Sequence, residues 1–228
     1  PVFVINLPES TEKLRRFRAQ MEKQDIKCSV WPGLRIRNWN DPVYRKLIDQ
    51  GLARPPEEGT RELGNAGVAA AHIMLWQHLL RLMTQPDELA LVFEDDEQLR
   101  PHFMPRLNEV LQSVQGQPLD HININPLRPT GRLVSKRFGL RKIEMLSYFD
   151  PKKMNNLWTS AYAISRAGAE LLLQELKQRQ YDFSNPRTQI DYAVAYAAVS
   201  NRRGAFYSLP SQSLSHHDEL KSARQDAN

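Results

Sequence analysis

The segment that most constrains this chain is Leu89-Ala90-Leu91-Val92-Phe93, a continuous apolar run that stops abruptly at Glu94-Asp95-Asp96-Glu97. Such a run suits a strand covered on both faces, and a doubly covered strand belongs inside an α/β sheet with helices above and below it. The helices are visible. From Gly67, residues Val68, His72, Leu75, Trp76, Leu79 and Met83 recur at steps of three and four, the stripe of a buried helix. Four acids directly after a central strand lie at the carboxyl edge of the sheet, where α/β proteins bind ligands.

The rest of the chain repeats the alternation. Residues 2–7 are apolar and β-branched, Pro8-Glu9-Ser10 supplies a turn and a cap, and Leu14, Phe17 and Met21 mark a helix. A short strand spans 27–33. Residues 34–63 are polar and weakly periodic, which predicts an irregular segment. Phe103, Leu107, Val110, Leu111 and Val114 predict a helix, and residues 121–126 alternate like a strand. Residues 127–156 are basic and broken by Gly and Pro, a second irregular or mobile segment. A strand is expected over 158–164, a helix capped by Ser165 and packed through Ala169, Leu172, Leu173 and Leu176, and a last helix over 190–199. The tail, 211–228, is polar and expected to be mobile. At 228 residues one domain is expected, α/β in class, with a mixed, mostly parallel sheet flanked by helices.

Several functions are disfavoured. The longest apolar run is eight residues, 192–199, far below the roughly 18 needed to span a bilayer. No signal peptide is visible, and Pro1 is what removal of an initiator Met leaves, as would trimming. The single cysteine, Cys28, forms no internal disulfide, so a reducing, cytoplasmic compartment fits. P-loop, G-x-G-x-x-G, G-x-S-x-G and H-E-x-x-H motifs are missing. The net charge of +5 suits a nucleic acid, an anionic membrane surface, a phosphorylated substrate, or simple solvation; no nucleic-acid motif accompanies it.

Four neighbouring carboxylates repel one another, and a hard divalent cation bridging to a substrate diphosphate relieves that repulsion; a solvated acidic turn is the plainer alternative. His216 and His217 suit completion of a carboxylate-bound transition-metal site, with Mn²⁺ favoured over Ca²⁺, only in combination with those acids. His72, on an apolar stripe, reads as a satisfied core histidine. Asp191 reads as a helix cap or as a buried general base.

Taken together, these segments resemble glycosyltransferase family 25, the group that contains bacterial lipooligosaccharide galactosyltransferases and collagen galactosyltransferases. Val4-Ile5-Asn6-Leu7 followed by Arg15-Arg16-Phe17 matches its opening strand and arginine-rich helix. In its Gly-Cys-x-x-Ser-His helix with a Leu-Trp pair, this chain keeps Gly67, His72, Leu75 and Trp76 but not the Cys and Ser. Leu91-Val92-Phe93-Glu94-Asp95-Asp96 matches its strand and Glu-Asp-Asp motif, and Ser160-Ala161-Tyr162 through Gly168-Ala169 its later small-residue strand.

The resemblance implies a GT-A-type fold and metal-dependent, inverting transfer of a sugar, most often galactose, from a UDP-sugar to a saccharide or glycolipid acceptor. By the same analogy Asp96 is a metal ligand, completed by His216 or His217 on a tail that orders over the donor. Asp95 faces the ribose and metal-bound water, and Glu94 lies nearer the base or sugar. Asn6 and Leu7 contact the nucleotide, Arg15 or Arg16 its ribose or phosphate, and Arg224 the diphosphate. Asp191 is the base that deprotonates the acceptor. The basic segments suit a phosphorylated glycolipid core or peripheral docking at the inner face of a membrane. A catalytically inactive nucleotide-sugar-binding protein of the same fold is the alternative.

Overall fold

Period-two alternation in three strands sorts side chains onto two faces of one sheet. In β1 (Val2–Asn6), Phe3 and Ile5 join one buried cluster and Val4 the other; in β3 (Leu89–Glu94), Ala90 and Val92 part from Leu91 and Phe93 in the same way. In β8 (Ala161–Ser165), Tyr162 and Ile164 part from Ala161 and Ala163. The computed structural model describes residues 1–56, 62–144, 159–185, 188–200 and 204–217, with His216 and His217 described by backbone alone.

The first cluster is closed by α2 (Pro42–Asp49), α3 (Leu63–Leu82), α5 (Arg166–Arg179) and α6 (Ile190–Ser200). The second is closed by α1 (Thr11–Lys23) and α4 (Phe103–Gln112). The result is helices on both faces of an eight-stranded sheet, the α/β architecture expected. The strand order is β2-β1-β3-β8-β5-β9-β7-β6, where β2 is Ser29–Pro32, β5 His121–Asn123, β6 Arg132–Ser135, β7 Leu140–Lys142 and β9 Phe206–Ser208.

The sheet is mixed, as expected, but the balance of pairing is corrected. Three neighbour pairs are parallel (β2 with β1, β1 with β3, β5 with β9) and four antiparallel (β3 with β8, β8 with β5, β9 with β7, β7 with β6). Two features cause this: β8 enters against the direction of both its neighbours, and a hairpin of β6 and β7 extends the far edge.

That hairpin lies inside the segment 127–156 that had been expected to be irregular; residues 145–158 lie outside the described part. Its basic residues, Arg132, Arg141 and Lys142, sit on or beside an edge strand, where charge discourages pairing with another chain. The segment 34–63 likewise holds α2. Asp41 caps that helix, its side chain accepting from Val43 N at 2.9 Å, with Pro42 in the first turn, and Tyr44 and Leu47 are buried beneath it. Of the tail, β10 (Ser215–His217) pairs antiparallel with β4 (Glu97–Leu99), placing His216 opposite Gln98 and His217 opposite Glu97. Residues 218–228, Arg224 included, lie outside the described part. Among the described residues no helix is long and apolar enough to cross a membrane.

Candidate functional site

Parallel pairing of β1 with β3 sets Ile5 opposite Glu94, so the ends of the two strands release Asn6 and Asp95 side by side. Asn6 is buried and bonds in two directions: its Nδ2 donates to Asp95 Oδ2 at 2.6 Å and to the Ser10 carbonyl at 3.1 Å. The second bond ties the start of α1 to the strand end and so places Lys13. The Lys13 Nζ lies 3.5 Å from Asp96 Oδ2 and 3.8 Å from Asp95 Oδ1.

Above these groups opens a cavity of about 670 Å³, ample for a nucleotide ligand. Leu7, Lys13, Glu94, Asp95 and Asp96 are among its lining residues. The chain from Gly33 to Arg37, which follows β2, and the start of α3 also line it. Two glycines allow these pieces to close on one another. A Cβ on Gly33 would stand 2.9 Å from the Asn6 carbonyl carbon and the Leu7 nitrogen, and one on Gly67 only 2.2 Å from the Leu34 carbonyl oxygen. Gly67→Ala therefore forces α3 away from the loop. The strain outweighs the helix propensity gained, and a fall in Tm of roughly 5 °C, read by thermal denaturation, is the expected result.

The acid cluster divides. Glu94, Asp95 and Asp96 face the cavity, with side chains 24%, 12% and 10% exposed, whereas Glu97 is fully buried and takes two hydrogen bonds from Asn125 Nδ2 at 3.1 and 3.3 Å. Burial pushes the Asp95 carboxyl up to about 6, and the neighbouring charges of Asp96 and Glu94 add to it; the Asn6 bond and Lys13 work the other way. Behind Glu94, the buried His72 presents Nε2 to Glu94 Oε1 at 3.4 Å.

A cation already sits between two carboxylates here, in the form of the Lys13 ammonium, and carboxylate oxygens are the donors a hard divalent ion takes. The chemistry of Asp95 and Asp96 thus fits a cation bound jointly with a diphosphate. Among the described residues no group of three His, Cys, Asp or Glu side chains converges.

The structure brings together Asn6, Leu7, Glu94, Asp95 and Asp96 of the residues expected from sequence. Arg15 and Arg16 stand apart from the cavity lining: they are exposed and bond to Glu12 at 2.8 and 3.0 Å, holding its carboxyl down to about 2. Asp191 is buried in the first turn of α6, its Oδ1 accepting from Tyr192 N at 3.1 Å, and is not among the lining residues either. Sequence reasoning missed Lys13, Arg35, Arg37 and the reach of His72. Lys13 stood in the same basic run as Arg15 and Arg16, two residues into the helix and so nearest the strand end; that position was the available signal.

A family model described as glycosyltransferase family 25 (LPS biosynthesis protein) matches residues 1–193. Among relatives, the chain is 26% identical over 179 residues to a cattle protein named probable inactive glycosyltransferase 25 family member 3, covering 75% of this chain and 28% of that protein. It is 26% identical over 176 residues to zebrafish procollagen galactosyltransferase 1, covering 76% of this chain and 28% of that one. A mosquito (Aedes aegypti) glycosyltransferase 25 family member is 23% identical over 180 residues, with 76% and 28% covered. The chain thus aligns with little more than a quarter of the length of these relatives. With a family model spanning most of its length and the strand-end acids gathered around one cavity, the chain belongs to glycosyltransferase family 25.

Proposed function

We propose that this chain transfers a hexose, galactose in our reading, from a UDP-sugar to a saccharide or glycolipid acceptor, with inversion and with a divalent cation, Mn²⁺ before Mg²⁺. The observation that carries the reading is the convergence of Lys13, Asp95 and Asp96 in the wall of a 670 Å³ cavity, with Asn6 bonded to Asp95. A nucleoside diphosphate needs polar groups for its ribose and positive charge for its phosphates, and these lining residues offer both. The cation, held by Asp96 with Asp95 beside it, would offset the charge that develops on the leaving diphosphate. His216 or His217 would complete that site from the tail, with Arg224 beside the diphosphate.

The chain's own groups have separable tasks. Asn6 orients Asp95 through their hydrogen bond, and Lys13 holds both carboxylates while adding positive charge where phosphates arrive. Leu7 supplies an apolar wall for the nucleotide. Deprotonation of the acceptor falls in our reading to Asp191. Asp191→Asn is expected to lower kcat about 100-fold or more with donor affinity unchanged, read by transfer assays beside calorimetry; transfer at the parental rate would dismiss it as the base.

Deleting residues 211–228 removes the partner strand of β4, which begins one residue after Asp96. Both donor affinity and turnover are expected to fall; unchanged values would refute a role for the tail. We place the reaction in the cytoplasm, with the basic segments toward an anionic membrane or a phosphorylated acceptor core; vesicle co-sedimentation with anionic and neutral lipids tests the membrane.

A second reading is nucleotide-sugar binding without transfer. It is favoured by the word inactive in the names of similar proteins from cattle, mouse and human. Donor binding without transfer to any acceptor or hydrolysis would establish it.

A further inference from the structure

Helix α3 carries a buried histidine whose ring reaches from the core to the cavity wall. The Nδ1 of His72 lies 2.9 Å from the Tyr162 hydroxyl, and Trp76 Nε1 donates to that hydroxyl, also at 2.9 Å. An indole N–H is a donor only and occupies a lone pair of the phenol oxygen; the buried phenol hydrogen is satisfied when it is donated to His72 Nδ1. Burial pushes the Tyr162 phenol far above its usual range, so the hydroxyl keeps that hydrogen. The ring proton then belongs on Nε2, which faces Glu94 Oε1 at 3.4 Å. That distance is at the long end for a hydrogen bond, and such contacts commonly shorten when a ligand arrives.

Packing alone does not call for this arrangement. Three polar side chains from α3 and β8 are buried where apolar ones would fill the same space, and a buried polar group left without its partner costs about 1–3 kcal/mol. Here each satisfies the next, and the series ends on a carboxylate that is 24% exposed toward the cavity. Glu94 and His72 both line the cavity, while the Lys13 ammonium stands beside Asp95 and Asp96.

We propose that His72 is a positioning residue: its Nε2–H, oriented by Tyr162 and Trp76, holds the Glu94 carboxylate so that its remaining acceptor sites receive hydroxyls of the donor hexose. This rests on the nucleotide-sugar reading and adds a division of labour. The nucleotide is gripped at Asn6, Lys13 and Asp95, the sugar at Glu94 through His72.

The test is calorimetry with Mn²⁺, titrating UDP and whichever of UDP-galactose and UDP-glucose the parent binds, into the parent, His72→Phe, Glu94→Ala and the double variant. His72→Phe is expected to weaken the UDP-hexose about tenfold while UDP stays within about twofold, and the double variant is expected to be no weaker than Glu94→Ala alone. Tyr162→Phe frees Nδ1 and gives the same selective loss in smaller measure, which covers the case of His72→Phe failing to fold. Equal weakening of UDP and UDP-hexose, additive losses in the double variant, or no loss in either probe would overturn the inference and leave the nucleotide-sugar reading standing. A parent that binds UDP-hexose under no condition would overturn both.

Discussion

Asp96→Ala is expected to abolish metal-dependent binding of a UDP-sugar, with affinity falling at least about 100-fold by calorimetry and the remaining binding indifferent to chelator. The reason is geometric. Asp95 and Asp96 are the cavity carboxylates that already share one cation, Lys13, and Asp95 is committed on its other oxygen to Asn6. Removing Asp96 leaves a single, partly engaged carboxylate facing the phosphates, and losing a partner of a buried charge costs more than the pair contributes. The fold should survive, because Asp96 lies in the turn after β3 and not in the sheet. Binding that stays metal-dependent at parental affinity would move the metal site elsewhere.

Asp95→Asn is expected to stabilise the fold while weakening the donor. Burial raises the Asp95 carboxyl to about 6 from 3.8, so between those values the folded state holds more proton than the unfolded one. Stability therefore declines as pH rises through that window; the penalty is complete above about 6 and vanishes below about 3.8. Asparagine carries no such penalty, and its Oδ1 still accepts from Asn6. The expected Tm gain is about 3–6 °C at pH 7.5, shrinking toward zero near pH 4, with UDP affinity lowered about tenfold. A Tm difference that is flat with pH would show that the Asp95 carboxyl is not raised.

Much of this was readable along the chain because it is local. The apolar run 89–93, the stripe from Val68 to Met83 and the Ser165 cap each express a short-range rule, and the structure has β3, α3 and a Ser165 side chain accepting from Gly168 N at 2.9 Å. Asn6, Leu7 and the acids were legible as strand-end residues, since a parallel pair brings its carboxyl ends together whatever lies between. Helix α2 was missed although Asp41-Pro42 is a starting signal, because eight residues are too few for periodicity to stand out.

The parting of roles within Glu94-Asp95-Asp96-Glu97 could not be read. Four adjacent acids look alike in sequence, and Asn125, 28 positions from Glu97, marks the last as an interior group. His72 is the parallel case: its apolar stripe correctly implied burial, but Tyr162, 90 positions away, gives its ring a direction.

By itself the sequence determined the types of the strongly patterned elements, the doubly covered central strand and the placing of acids at its carboxyl edge. Those follow from periodicities of two and of about 3.6 residues, which any chain with this pattern obeys. The tertiary structure alone decided the antiparallel entry of β8, the pairing of β10 with β4, the approach of Lys13 to two carboxylates and the choice of which acids face the cavity. Each depends on contacts between residues distant in the chain, and no local pattern encodes which remote partner will arrive.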